Sequence, residues 1–305
     1  MEQFAQQLVN GLTLGGVYAL IALGYTLIYG VLQLLNFAHG EVYMVGAFLG
    51  YFVMTGLGGP AAPVVPVWLM IVLMFLVAMI GSGLLGVAVE QFAYRPLRNS
   101  ARIAPLISAL GVSLFLQNAV LLLFGSQVRS YDTPRYWPAT GAPELAGVRI
   151  SPVRILVVAL ALVLMLALVQ LVNRSRFGRG MRAVAFDRDA ALMMGIDVNK
   201  VVVLVFFVAS ALAGAAGVMV GLVFFNVYSY MGFLAGLKGF TAAVVGGIGS
   251  IPGAMLGGFL IGLVESFTTV YISSNFASVL SFLVLILVML VKPRGLLGKA
   301  AIVKV

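Results

Sequence analysis

The sequence predicts an all-α polytopic membrane protein with eight to nine membrane segments, interrupted helices and a candidate internal repeat. Three observations predict it. Hydrophobic residues make up 62% of the 305 and charged residues only 9%, against roughly 45–50% and about 25% in soluble domains. Apolar runs long enough to cross ~30 Å of hydrocarbon recur along the chain, and mean hydropathy is +1.14. Glycine reaches 36 residues, an enrichment that in membranes accompanies close helix packing and helix breaks. Too little polar surface remains to cover a soluble globule. That argues against soluble enzymes, secreted disulfide scaffolds and nucleic-acid-binding domains. The absence of cysteine excludes disulfides and thiolate chemistry, and the single histidine excludes a multi-histidine metal centre.

The elements follow in order within one membrane domain, residues 1–305. The first span covers Leu8–Tyr29. It lacks the basic leader of a cleavable signal and is long enough to cross, so it is expected to be retained. The next spans are Phe37–Met54, Val67–Val89, Ile103–Phe124, Val153–Val172 and Val201–Phe225. The stretch Gly232–Val291 reads as a short piece, Lys238–Gly249, that crosses tilted or folds back, followed by Pro252–Val270 and Phe276–Val291.

Basic residues set the orientation. Of the 18 lysines and arginines, three regions hold most: Arg95, Arg98 and Arg102; Arg174, Arg176, Arg179, Arg182, Arg188 and Lys200; and Lys292, Arg294, Lys299 and Lys304. Short basic loops on one side mark the cytoplasm. The net charge of +9 is therefore a topology signal and does not point to nucleic acid. The N-terminus falls outside and the C-terminus inside, which favours nine crossings. The loop 125–152 is placed outside because its charge is sparser and mixed. Tyr131, Tyr136 and Trp137, beside Pro134 and Pro138, suggest an ordered cap there, read either as an interfacial aromatic belt or as a docking surface for an external partner.

Glycines four apart occur at Gly11/Gly15, Gly46/Gly50, Gly217/Gly221, Gly253/Gly257 and Gly258/Gly262. Each pair opens one helix face to close approach by another backbone. Two segments interrupt the apolar pattern. In Asn36–Tyr43, Asn36 can cap a helix and Glu41 suits its positive end. With His39, the segment reads as capping and interface anchoring, as a broken helix lining a translocation path, or as a proton relay. In Gly246–Met255, Pro252 removes a helix donor among glycines. Asn36–Ala47 and Gly249–Gly258 are the candidate repeat units, of a kind that recurs in transporters. Gln117 and Glu265 within the spans, and Lys238 preceding the short segment, are the polar candidates. An intramembrane ionisable group is costly and points to function. The competing readings are interhelical hydrogen bonding for Glu265 and snorkelling for Lys238. No acidic ladder crosses the bundle, which weakens an ion-coupled carrier. No Gly-x-x-x-x-Gly-Lys-Ser/Thr occurs, so the chain carries no nucleotide site of this kind.

The inside loop 173–200 contains a short helix over Asp187–Met194 with an acidic start, ended by Gly195. It reads as a surface on which a partner pushes, or as a basic amphipathic piece lying on the membrane. Asp189-Ala-Ala-Leu-Met-Met-Gly195 resembles the Glu-Ala-Ala-x-x-x-Gly coupling signature of bacterial ABC importer permeases, with aspartate keeping the charge. Four further segments join it: Leu35–Glu41, Glu90–Arg98, Ser175–Ala183 and Phe240–Gly253. With Lys292-Pro-Arg-Gly-Leu-Leu-Gly298, they resemble the LivH-type permease family of branched-chain amino acid importers over nearly the whole chain.

The resemblance implies half of a pore. It implies a heterodimer with a related permease, two cytoplasmic ATPase subunits that bind ATP and Mg, and a periplasmic solute-binding protein, all in a bacterial inner membrane. It implies ATPase coupling through Asp189, Ala190, Ala191 and Gly195, and no cofactor or catalytic role in this chain. Leucine, isoleucine and valine are the implied solutes. Relatives moving urea, short amides or other amino acids are the alternative, ahead of an ion-coupled carrier and a channel.

Overall fold

The computed structural model describes residues 2–58, 64–98, 100, 101, 103–133, 144, 145 and 148–298. Arg102, Pro134, Arg135, Tyr136, Trp137, Pro138, Lys299 and Lys304, which entered the charge and aromatic readings, lie outside them. Eleven α-helices follow in order: α1 Glu2–Leu32, α2 His39–Gly56, α3 Val67–Val89, α4 Ile103–Phe124, α5 Pro152–Arg174, α6 Arg176–Phe186, α7 Arg188–Met193, α8 Val198–Phe224, α9 Met231–Gly246, α10 Ile251–Thr268 and α11 Ala277–Val291. Helix α3 runs on through a π-turn, Glu90–Tyr94, and a 3₁₀ turn, Arg95–Leu97; α10 runs on in the same way through Thr269–Ser273 and Ser274–Phe276. Four two-residue strands make two antiparallel pairs: β1 Arg129–Ser130 with β4 Asn226–Val227, and β2 Glu144–Leu145 with β3 Val148–Arg149.

Among the described residues, six helical stretches are long and apolar enough to cross a membrane, and Met231–Gly246 is a shorter apolar helix. Helices α1 and α8 form the centre. In their most apolar windows 89% and 78% of residues are buried, against 28% in both α4 and α5. A helix apolar all round belongs in the interior or in lipid, and the two groups divide along that line.

Glycine decides how the central helices approach. Gly11 and Gly15 of α1 lie against Leu263 and Phe259 of α10, while Gly258 of α10 lies against Ala19. Gly46 of α2 meets Gly214 of α8, and Gly217 meets the backbone at Tyr43 and Ala47. Gly253 and Gly257 of α10 abut Gly246 and Ala242 of α9. In all five spaced pairs a β-carbon would strike a neighbour, on another helix for every member except Gly221, which meets the Tyr131 ring.

Helix α1 starts at Glu2, six residues before the Leu8 read from sequence, and two further differences bear on candidate residues. The short piece starts at Met231, seven residues before Lys238, so Lys238 lies inside α9 instead of preceding it. Gly232, Gly236 and Gly239 hid this helix. They are packing contacts with Gly40 and Ile21, and not breaks. Asn36 does not cap α2: the N-cap is Ala38, with no side-chain bond. The Asn36 amide oxygen instead accepts from the Ala38 N–H at 3.1 Å and lies 3.2 Å from the Tyr94 hydroxyl.

Candidate functional site

Three places bring together the residues singled out from sequence. The first is the buried start of α2. His39 and Glu41 are fully buried, so neither anchors an interface. The His39 ring meets Tyr25 edge-on at 4.9 Å. The Glu41 carboxylate accepts from the Gln117 amide at 2.6 Å and the Ser113 hydroxyl at 3.2 Å, both on α4. Its second oxygen faces Gly232 at the start of α9, where any β-carbon would collide with it. Glu41 and Gln117, 76 positions apart in sequence, are therefore one network. The chain between α1 and α2 turns through Gln33 at φ 54°, and Tyr94 holds that turn by lying 3.1 Å from the Leu35 carbonyl oxygen.

The second place is the break between α9 and α10. Gly247 (φ 107°) and Gly249 (φ 88°) adopt left-handed backbone that side chains disfavour. Ser250 caps α10 by accepting from the Gly253 N–H at 3.3 Å, and Pro252 sits in the first turn, where its missing donor costs nothing. Pro252 therefore starts a helix and does not interrupt one. The tail after α11 returns to this break. The Leu296 and Leu297 N–H groups donate to the Val245 and Gly246 carbonyls, each at 2.9 Å, satisfying acceptors that the end of α9 leaves open.

The third place is a cavity of about 510 Å³ among α1, α2, α5, α8, α9 and α10. Asn226 of β4 also lines it. Lys238 and Glu265 meet on its wall, Nζ to Oε1, at 2.5 Å, with side chains 8% and 14% exposed. The Tyr18 hydroxyl donates to the other Glu265 oxygen at 2.9 Å. Lys238 does not snorkel; its ammonium ends inside the protein. Arg154 at the start of α5 lines the same cavity, and its guanidinium makes no hydrogen bond or ion pair among the described residues. Gln7, Asn10 and Thr13 add polar groups, while Leu14, Val220, Met231 and Leu234 supply apolar surface. The sequence marked Lys238 and Glu265 separately; nothing in their 27-residue spacing announced the pair.

The loop 173–200 forms two short helices on a chain of caps. Ser175 accepts from the Gly178 N–H at 2.9 Å to start α6, and Asp187 accepts from the Asp189 and Ala190 N–H groups at 3.0 and 3.1 Å to start α7. Gly195 (φ 79°) ends α7, and Asp197 starts α8 by accepting from the Lys200 N–H at 3.1 Å. That bond, with the Lys200 ammonium, holds the Asp197 carboxyl below its ordinary range. Asp189, Ala190 and Gly195 are exposed, but Ala191 is 3% exposed and packs inward. Leu192, Met193 and Met194 are the exposed apolar residues beside it, at 52%, 82% and 82%. Arg98 pairs with buried Glu90 and donates to Asn199 Oδ1 at 2.7 Å, tying the end of α3 to the start of α8.

Tyr131 also departs from expectation. It is fully buried, donates to the Ala47 carbonyl at 2.6 Å and lies against Gly50 and Gly221. It anchors its loop in the bundle and belongs to neither an aromatic belt nor a docking surface.

A family model described as branched-chain amino acid transport system / permease component matches residues 7–289. The chain is 44% identical to the high-affinity branched-chain amino acid transport system permease protein BraD of Pseudomonas aeruginosa, over 99% of this chain and 98% of that one. It is 42% identical to the LivH permease protein of Escherichia coli (strain K12), with the same coverage. Identity to the probable LivH of Methanocaldococcus jannaschii is 30%, over 92% and 88% of the two chains.

Proposed function

The chain belongs to the family of branched-chain amino acid transport system permease components, and on that premise we propose that it is one permease subunit of an ATP-driven importer. The importer moves leucine, isoleucine and valine from periplasm to cytoplasm by alternating access. The observation that carries this is identity above 40% along the whole chain to permease proteins named for that transport. The chain is not an enzyme. Two cytoplasmic ATPase subunits bind ATP and Mg, a related permease completes the pore, and a periplasmic binding protein delivers the solute.

The topology has nine crossings in a bacterial inner membrane: α1 to α5, then α8 to α11, with the N-terminus outside and the C-terminus in the cytoplasm. The basic loops support this orientation. Helix α9, only 16 residues long, is the short crossing. The loop 125–152 faces the binding protein. Residues 173–200 face the ATPases, with Asp189, Ala190 and Gly195 on the contact surface and Met193 and Met194 inserted into the partner. Ala191 fixes α7 to the bundle. A push on α7 reaches α8 through the Gly195–Asp197 turn and α3 through Arg98 and Asn199. The backbone breaks at 33–38 and 247–250 let α2 and α10 pivot. Asn36, His39, Glu41, Gln117 and Pro252 shape those breaks.

Uptake of labelled leucine into proteoliposomes carrying the assembled complex and its binding protein tests the solute. Competition by isoleucine and valine is expected. Competition by urea or short amides instead would contradict the reading.

A further inference from the structure

We propose that the 510 Å³ cavity within this single chain is a solute site that receives an aliphatic α-amino acid as its zwitterion. The inference rests on the amino-acid reading above and adds a location and a recognition chemistry to it. Carrying a zwitterion out of water requires an opposite charge for each of its ends, because an unpaired buried charge is prohibitively costly. The cavity offers both signs. Arg154, with no partner among the described residues, presents a guanidinium suited to bidentate capture of a carboxylate. Glu265, bound on one oxygen by Lys238 and on the other by Tyr18, keeps lone pairs for an ammonium.

The wall carries both kinds of surface that such a solute requires. Polar groups of Gln7, Asn10, Thr13 and Arg154 and the apolar side chains of Val220, Met231 and Leu234 line the same cavity. The volume lies within the ~300–1,000 Å³ of small-molecule sites, so the solute enters with several waters. Lys238 has a second role. Its ammonium, 2.5 Å from Glu265 Oε1, fixes where that carboxylate sits on the cavity wall, which makes it a positioning residue. The competing account is a purely structural ion pair joining α9 to α10. On that account, charge changes would alter stability without altering which end of the solute is recognised.

The assembled complex in nanodiscs, labelled with the photoreactive diazirine analogue of leucine and mapped by peptide mass spectrometry, separates the two. Adducts are expected on Val220, Met231 and Leu234, displaced by leucine. In the unmodified complex, leucinamide (no carboxylate) and 4-methylpentanoate (no ammonium) should displace them about ten- to a hundredfold less well, the loss expected for one charge-assisted hydrogen bond. Arg154→Gln should abolish the discrimination against leucinamide alone. Glu265→Gln with Lys238→Met, which removes both charges of the buried pair, should abolish the discrimination against 4-methylpentanoate alone. Arg154 is half-exposed, so its variant keeps the test intact even where the double variant fails to fold. Adducts outside the cavity, absent adducts or unchanged discrimination in a complex that still imports leucine would overturn the inference. Failure of the unmodified complex to import leucine would instead overturn the amino-acid reading.

Discussion

At the scale of single residues, the chain places its few charges where their partners are distant in sequence. Glu265 and Lys238 illustrate the cost. Removing one member of a buried pair leaves the other uncompensated, at about 3–5 kcal/mol. Glu265→Gln alone should therefore lower the thermal unfolding midpoint in detergent, and adding Lys238→Met should recover most of the loss. Equal losses in both variants would show that the pair does not hold α9 to α10. Asp197 gives a pH test. Its carboxyl titrates below the ordinary range because the Lys200 N–H and ammonium stabilise the anion. Its contribution to α8 is complete above the ordinary carboxylate pKa and is lost as pH falls through the depressed value. Protection of the Lys200 amide from hydrogen exchange, corrected for intrinsic rates, should fall over that acid window. In Asp197→Asn it should not change. Residue identity made Lys238, Glu265, Glu41 and Gln117 visible as candidates, since buried polar groups in an apolar run stand out. Pairing was not visible, because contacts across 27 and 76 positions leave no periodic trace. Ala191 shows what a short motif leaves open. The resemblance placed it in the coupling helix, and the structure adds that its side chain packs inward.

At the scale of elements, boundaries followed from composition except at the start of α1 and where glycine served packing. The ends of α3, α4 and α11 fell within a residue of the apolar runs, because hydrophobicity and length determine them. Helix α9 was read seven residues short, since Gly232, Gly236 and Gly239 look alike in sequence whether they break a helix or admit a neighbour. The same ambiguity made Pro252 look like an interruption when it occupies a helix start. The short helix α7 was legible from its acidic start and Gly195. Its exposed apolar edge, Leu192, Met193 and Met194, was not, since six residues carry too little periodicity. An edge that is exposed on the isolated chain and apolar fits insertion into a partner groove. Met193→Asp with Met194→Asp should reduce ATP-driven uptake at least tenfold while the chain still inserts at normal levels, checked by membrane immunoblot and uptake. Normal uptake in this variant would remove α7 from the coupling path.

At the scale of the whole molecule, the bundle has two buried central helices, α1 and α8, ringed by helices with apolar outer faces. That division follows from a chain with 9% charged residues and no other way to satisfy its backbone in lipid. The nine-crossing topology is testable because the sequence contains no cysteine, so an introduced one reports alone. Cysteines at the exposed positions Gln127 and Asn275 should react with an impermeant maleimide in intact spheroplasts; those at Ser100 and Lys200 should react only after lysis. The opposite pattern would invert the topology. The central claim is that this chain is half of a pore that takes its energy from partner ATPases. Leucine uptake by the reconstituted complex, with ATP enclosed and ion gradients collapsed by ionophores, tests it most directly. The account predicts uptake that requires ATP, the binding protein and the second permease together. Uptake by this chain alone, driven by a proton or sodium gradient without ATP, would contradict it.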